Sequence, residues 1–175
     1  DLIVRRDSSF HALDDLRGAR FAFNEISSCS GFVLPRYHLA SRGSDLDFFG
    51  DLVETGSHAA SMDAVETGGV DATAIDSVVL EMEFRQRPAR EQVFRVVHQF
   101  GPASMPPVVA SRRLPPATRV ALADALVNMD SDPDGRRLLR QAGVRRFHPV
   151  ADADYDDIRA ILTVLERRAV LASTQ

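Results

Sequence analysis

The chain has 175 residues, 45% of them hydrophobic and 26% charged, with a formal net charge of −4. That is the make-up of a globular chain large enough for one good domain or two small lobes. No apolar run approaches the ~20 residues of a membrane-spanning helix, and the acidic balance speaks against a general nucleic-acid binder, which presents a basic face. The 21 Lys and Arg positions are all Arg, and they are scattered, which we read as composition bias and not as a site. The single cysteine, Cys29, excludes an internal disulfide and any multi-cysteine zinc site.

In chain order, short apolar strands alternate with helices, the signature of an α/β fold. Residues 2–4 predict a first strand and residues 14–18 a helical turn stopped by Gly18. A strand follows at 20–24, and the polar Ser27-Ser28-Cys29-Ser30 opens a helix to about Ala40. Residues 48–54 predict a third strand, Gly56-Ser57-His58 opens a helix through Glu66, and Gly68-Gly69 breaks it. A strand at 71–75, a helix at 78–85 begun by Asp76-Ser77 and a strand at 93–98 complete this half. The Pro/Gly segment at 101–107 then changes the texture, and the apolar run 108–110 predicts a short strand.

Beyond it the chain reads as helical. Pro115-Pro116 opens a helix at 117–130, with Leu122, Leu126 and Met129 on one face. Asp132-Pro133 starts another that ends near Gly143, and Tyr155, Ile158, Leu162 and Leu165 stripe a last helix at 154–168. Residues 1–98 therefore read as a complete α/β unit, whereas 99–175 supply one strand and three helices whose apolar faces ask for a sheet. The chain also opens directly on an apolar strand with no signal segment before it, so the expectation is that further chain precedes it.

Three strand-to-helix junctions carry small polar or titratable residues: Ser28-Cys29-Ser30-Gly31, Gly56-Ser57-His58 and Ile75-Asp76-Ser77. In an open α/β sheet such junctions gather at the carboxyl ends of the strands, where ligands bind. A helix N-terminus offers unpaired N–H groups and a partial positive charge, so it holds an anion without any Lys. Ser and Asp are also ordinary N-caps, and His58 also reads as an ordinary surface histidine. The remaining histidines, His11, His38, His98 and His148, show no metal-ligand spacing, and no cofactor is implied. Arg112-Arg113 and Arg136-Arg137 read as solvated faces.

The string from Phe23 to Phe32 (FNEISSCSGF), followed by Leu34-Pro35-Arg36-Tyr37, resembles the Ser-Thr-Ser-Gly-Tyr loop region of phosphonate- and phosphite-binding proteins of bacterial ABC importers. Residues 8–18 (SSFHALDDLRG), Gly56-Ser57-His58, residues 69–77, Pro106-Pro107-Val108-Val109, and the tail from Phe147 to Arg159 are similar to that family in order, over essentially the whole chain. The resemblance implies the type-II periplasmic-binding-protein fold, with one α/β lobe complete and only the mostly helical C-terminal part of the other. It implies that Ser28, Cys29 and Ser30 grip phosphoryl oxygens, that His58 donates to the same group, and that Asp76 lies opposite, where an amino group or P–OH proton is recognised. Cys29 stands where the family has Thr, and a thiol is the weaker donor; Phe32 stands where it has Tyr.

The function so implied is that of a non-catalytic receptor, periplasmic or extracellular and in some cases lipid-anchored. It binds phosphonate or a related phosphorus oxyanion and delivers it to a membrane permease. Two other readings stay open: an effector-binding sensory module of the same fold, and an enzyme using Cys29, since a helix N-terminus lowers a thiol pKa and His58 offers a base. With much of one lobe absent, the apolar helix faces of 99–175 lead us to expect that the chain either self-associates through them or rearranges its C-terminal helices to cover them.

Overall fold

The computed structural model describes residues 1–172. Its centre is a five-stranded sheet built from β1 (Leu2–Arg5), β2 (Arg20–Phe23), β3 (Asp51–Glu54), β4 (Ala72–Ala74) and β5 (Phe94–His98), in the order β3-β2-β4-β1-β5. β2 pairs in parallel with β3 and β4, while β1 runs antiparallel to β4 and β5. Successive side chains of a strand point to opposite faces. Phe21 and Phe23 of β2 thus join Leu2 and Val4 in one core cluster, and Ala22 and Ile3 join the other. Both faces are covered, which is why β2 reads as a continuous apolar run.

The helices of this half are α1 (Leu34–Ser41), α2 (His58–Glu66), α3 (Ser77–Gln86) and the one-turn α4 (Pro88–Glu91). Leu39 of α1, with Leu13, Leu16, Phe48 and Phe49 from two 3-10 turns, packs on the first face. Met62 and Val65 of α2 and Leu80 of α3 pack on the second. The predicted strand at 48–54 begins only at Asp51, because Leu46–Phe48 form a 3-10 turn that sends Phe48 and Phe49 into the core. The pieces of the second face are tied by Arg90, whose buried guanidinium pairs with Asp63 (2.8 Å) and Glu66 (2.6 Å) of α2 and Glu83 (2.7 Å) of α3, and lies 5.4 Å over the Phe94 ring of β5.

Contacts divide the chain into a unit of Asp1–Pro102 together with the last helix from Ile158 onward, and a second unit of Ala103–Asp157. In the first unit, α7 (Asp156–Ala172) sets Ile161 and Leu165 against Val33 and Ala40, and Arg168 donates to the Ser44 carbonyl at 2.9 Å. The packed face of α7 therefore runs through Ile161 and Leu165, and the expected stripe residue Leu162 is largely exposed. The second unit holds α5 (Pro116–Val127), which ends one turn before the predicted boundary in a 3-10 turn at Met129–Ser131, and α6 (Pro133–Gln141), capped by Asp132 accepting from the Gly135 N–H at 2.7 Å.

The predicted strand at 108–110 does not form: these residues are exposed and no strand pairs with them. Val108 and Val109 have strand propensity, but a strand needs a backbone partner, and the preceding Pro106-Pro107 offers no N–H to one. Of the stripe Leu122, Leu126, Met129, Leu122 is exposed and the other two are half-buried, and no residue of α5 is fully buried.

Arg90→Ala should destabilise the chain by about 3 kcal/mol, because it leaves the enclosed Glu83 carboxylate with only the exposed Arg87, at 3.1 Å, as a partner. Asp63→Asn, which removes only an exposed partner, should cost about 1 kcal/mol or less. Urea denaturation of the two variants reads the difference, and equal losses would show that the pair with Glu83 is not what stabilises this face.

Candidate anion-binding site

Because β2, β3 and β4 are parallel and in register, with Phe23 opposite Glu54, the three segments that follow them emerge at one edge of the sheet. The sequence-predicted residues Ser28, Cys29, Ser30, His58 and Asp76 all lie on these segments.

After β2 the chain passes through buried Asn24 and closes a turn with Ser28 N–H bonded to the Glu25 carbonyl. Ser28 is the helix cap: its Oγ accepts from Gly31 N–H at 3.1 Å, and its carbonyl accepts from the N–H groups of both Phe32 and Val33. The predicted helix start is a single widened π turn at Cys29–Val33, closed by Leu34 N–H donating to the Cys29 carbonyl, before α1 continues as an ordinary helix. Such turns occur often at functional sites. Gly31 is required here for a specific reason, since a Cβ would stand 2.9 Å from both Asn24 Oδ1 and Ser28 Oγ. The glycine therefore admits the protein's own polar atoms.

Ser57 caps α2, with its Oγ accepting from Ala60 N–H at 3.1 Å, and this sets His58 in the first turn. His58 Nε2 lies 3.5 Å from Ser30 Oγ, so the first and second segments meet there. That separation is the outer limit of a hydrogen bond. His58 Nδ1 is buried and has no hydrogen-bond partner among the described residues. Burial lowers the His58 pKa below its ordinary value, and the Asp76 carboxylate opposes this. The same electrostatic coupling marks Asp76 as a neighbour of His58. Asp76 Oδ1 accepts from Val78 N–H at 2.9 Å and Val79 N–H at 3.3 Å, so the residue caps α3 as Asp commonly does.

Asn24 is the residue that sequence reasoning missed. Its carbonyl accepts from Gly56 N–H at 2.8 Å, and its Oδ1 accepts from Ser61 Oγ at 3.5 Å, so one buried amide joins the first segment to the second. Thr55 adds to the joint, its Oγ1 bonded to the Phe23 carbonyl and to Ser61 Oγ. A polar residue directly after an apolar central strand was the available signal.

Chemically, the first turns of three capped helices, two serine hydroxyls, a half-buried thiol and an imidazole converge at this edge. Such a set offers N–H and O–H donors, beside which stand the Asp76 carboxylate and the exposed Glu25 and Glu54. Among the described residues, no group of three His, Cys, Asp or Glu is placed to hold a metal ion. No helix among them is long and apolar enough to cross a membrane.

Residues 2–155 match the family model described as ABC transporter, phosphonate, periplasmic substrate-binding protein. A probable ABC transporter phosphite-binding protein of Prochlorococcus marinus (strain MIT 9301) is 32% identical over 85 residues, 47% of this chain and 29% of that protein. Among solved structures, a binding protein component of an ABC phosphonate transporter from Pseudomonas aeruginosa superposes with a TM-score of 0.82 at 19% identity, covering 97% of this chain and 58% of that one. A Prochlorococcus marinus (MIT 9301) protein in complex with methylphosphonate superposes with a TM-score of 0.76 at 22% identity, covering 94% of this chain and 65% of that one. The chain thus spans less than two thirds of each of these relatives. The shared architecture is the type-II periplasmic-binding-protein fold that the sequence led us to expect. With the family model spanning nearly the whole chain, the protein belongs to the periplasmic substrate-binding proteins of phosphonate ABC transporters.

Proposed function

We propose that this chain forms the oxyanion-holding part of a solute receptor that takes phosphonate, phosphite or a closely related phosphorus oxyanion and serves an ABC permease in the membrane. The observation that carries this reading is the approach of Ser30 Oγ to His58 Nε2 at the N-termini of two helices on one sheet edge. A phosphoryl oxygen seated between them would accept from hydroxyl, imidazole and helix amides together. The structures of relatives support it, since one of them carries methylphosphonate. In this reading the role is binding, and the place of work is the periplasm, in keeping with the family's description.

Ser28, Cys29 and Ser30 form the cradle in this reading. A hydrogen bond to a charged group contributes about 1.5–3 kcal/mol, so Ser30→Ala should weaken binding by about one to two decades. Cys29→Thr, which restores a hydroxyl donor, should bind at least as tightly. Calorimetric titration of the chain with phosphonate, phosphite and phosphate reads both. Unchanged affinity for every oxyanion in the Ser28→Ala/Ser30→Ala double variant would mean that the cradle lies elsewhere.

Asp76 is assigned the complementary task of meeting a P–OH proton or an ammonium on the ligand, in addition to capping α3. Asp76→Asn removes the charge that raises the His58 pKa, so His58 should titrate at still lower pH, visible in its ring proton resonances. The preference between aminophosphonates and simple phosphonates should shift as well. An unaltered preference accompanied by lost helix stability would leave Asp76 with the capping role alone.

The exposed Val108, Val109, Val120 and Leu122 of the second unit accompany this reading with self-association of the chain. Light scattering should find species larger than the monomer unless the C-terminal helices rearrange to cover these residues, and a monodisperse monomer that binds a phosphonate with micromolar or better affinity would refute it.

A further inference from the structure

At the opposite end of α1 from the Ser28–Ser30 turn, three rings meet. His38, in the last turn of α1, and His98, the last residue of β5, have ring centroids 4.6 Å apart at 59°. Phe100 closes the group, 4.9 Å from His98 and 5.4 Å from His38, and packs on the core beneath. His98 Nε2 is buried and finds no hydrogen-bond partner among the described residues. Two residues beyond Phe100 the chain leaves the first unit, after Pro102.

The charged groups around the pair are disposed against a further proton. Arg42 follows His38 at the end of α1 and is joined to Asp14, from the 3-10 turn at Leu13–Leu16, at 2.8 Å. From β1's side comes the amino group of Asp1, whose carboxylate is taken by the Gln99 amide at 2.8 Å. The one acid that favours either imidazolium, Asp14, is thus already engaged by an arginine. Burial lowers both imidazole pKa values; Arg42 adds to this for His38, and His38 and then Arg42 add to it for His98.

We propose that His38, His98 and Phe100 form an acid-released latch, which holds the segment leaving β5 against α1 while both imidazoles are neutral. A proton on either ring sets a cation against its neighbour and against Arg42, the buried His98 Nε2 has no hydrogen-bond partner among the described residues to offset this, and the tilted ring contact opens. The latch works by titration of groups outside the anion site, so it stands independently of the ligand reading. Its sign follows from linkage. The folded pKa values lie below the unfolded value of about 6.5, so the unfolded chain binds more protons between them. The stability is complete above that value and is lost as pH falls through it toward the folded values.

The test uses the full 175-residue chain and its His38→Phe and His98→Phe variants, which keep the ring contact and remove the titrating group. Between about pH 7.5 and pH 5, the native chain should lose at least ~3 °C more in Tm than either variant. His58 is present in all three chains, so its own contribution cancels. Amide exchange at Gln99 and Phe100 should quicken more on acidification in the native chain than in His38→Phe, which keeps only the titrating His98. In the native chain itself, both rings should titrate below the ordinary histidine value in NMR, a measurement that needs no variant to fold. Rings titrating at the ordinary value, or equal losses of Tm and equal exchange in native and variant chains, would overturn the latch.

Discussion

The parallel pairing of β2 with both β3 and β4 is the constraint from which the rest of the structure follows. It holds because β2 is buried on both faces, with Phe21 stacked on Phe49 at 4.3 Å on one side and Ala22 facing α2 on the other. A parallel strand must return through a crossover, so helices begin at the same edge at which the strands end. Three helix N-termini are therefore brought together by the sheet, and Ser30 meets His58 there at 3.5 Å. Replacing the apolar residues of β2 would not merely weaken a core; it would disperse Ser28, His58 and Asp76.

Charge is handled differently at the two faces of the first unit. On the α2–α3 face, a buried cation is surrounded by three acids, so the cost of desolvating Arg90 is met by direct pairing. At the sheet edge there is no such pairing. His58 is kept toward neutrality by burial, and the hydroxyls and helix amides carry partial charges only. A chain of net charge −4 can in this way offer donors to an anion at the proposed site, because what an anion meets is the local orientation of N–H and O–H groups and not the total charge. Neutral donors also favour a ligand that can be released.

The elements that were legible in the sequence are those set by local pattern. Short apolar runs identified β1 and β2, and Asp76 and Ser57 announced helix starts through the hydrogen bonds they make within their own turns. What was not legible depends on partners far along the chain. Val108–Ala110 carries strand-like residues and fails as a strand for want of a neighbour. Arg90 reads as one surface arginine among many until α2, α3 and β5 are brought around it. The last helix offered Leu162 as readily as Ile161, and only the shape of α1 selects between them. At the candidate site the residues were readable, but the joint between them was not: Asn24 acts through Gly56 and Ser61, tens of positions later.

That joint bears on how the proposed cradle could hold a small ligand. A tetrahedral anion offers few atoms, so little of its binding free energy can be spent on ordering loops. Here the ordering is already present in the chain. Ser28 is fixed by Gly31 and by the two amides bonded to its carbonyl, and Asn24 clamps the turn from below with its amide oxygen in the space a Cβ of residue 31 would need. His58 is fixed in turn by the Ser57 cap and by the Asn24–Gly56 hydrogen bond. Each donor is therefore positioned by hydrogen bonds that the ligand does not have to make, and the chain's own polar atoms occupy the crowded interior of the turn. The hydroxyl edge and the imidazole are left as the groups that separate by 3.5 Å and can close on a common acceptor. Rigidity in this site comes from satisfied backbone groups behind it, and the smallness of Gly31 is what lets them approach.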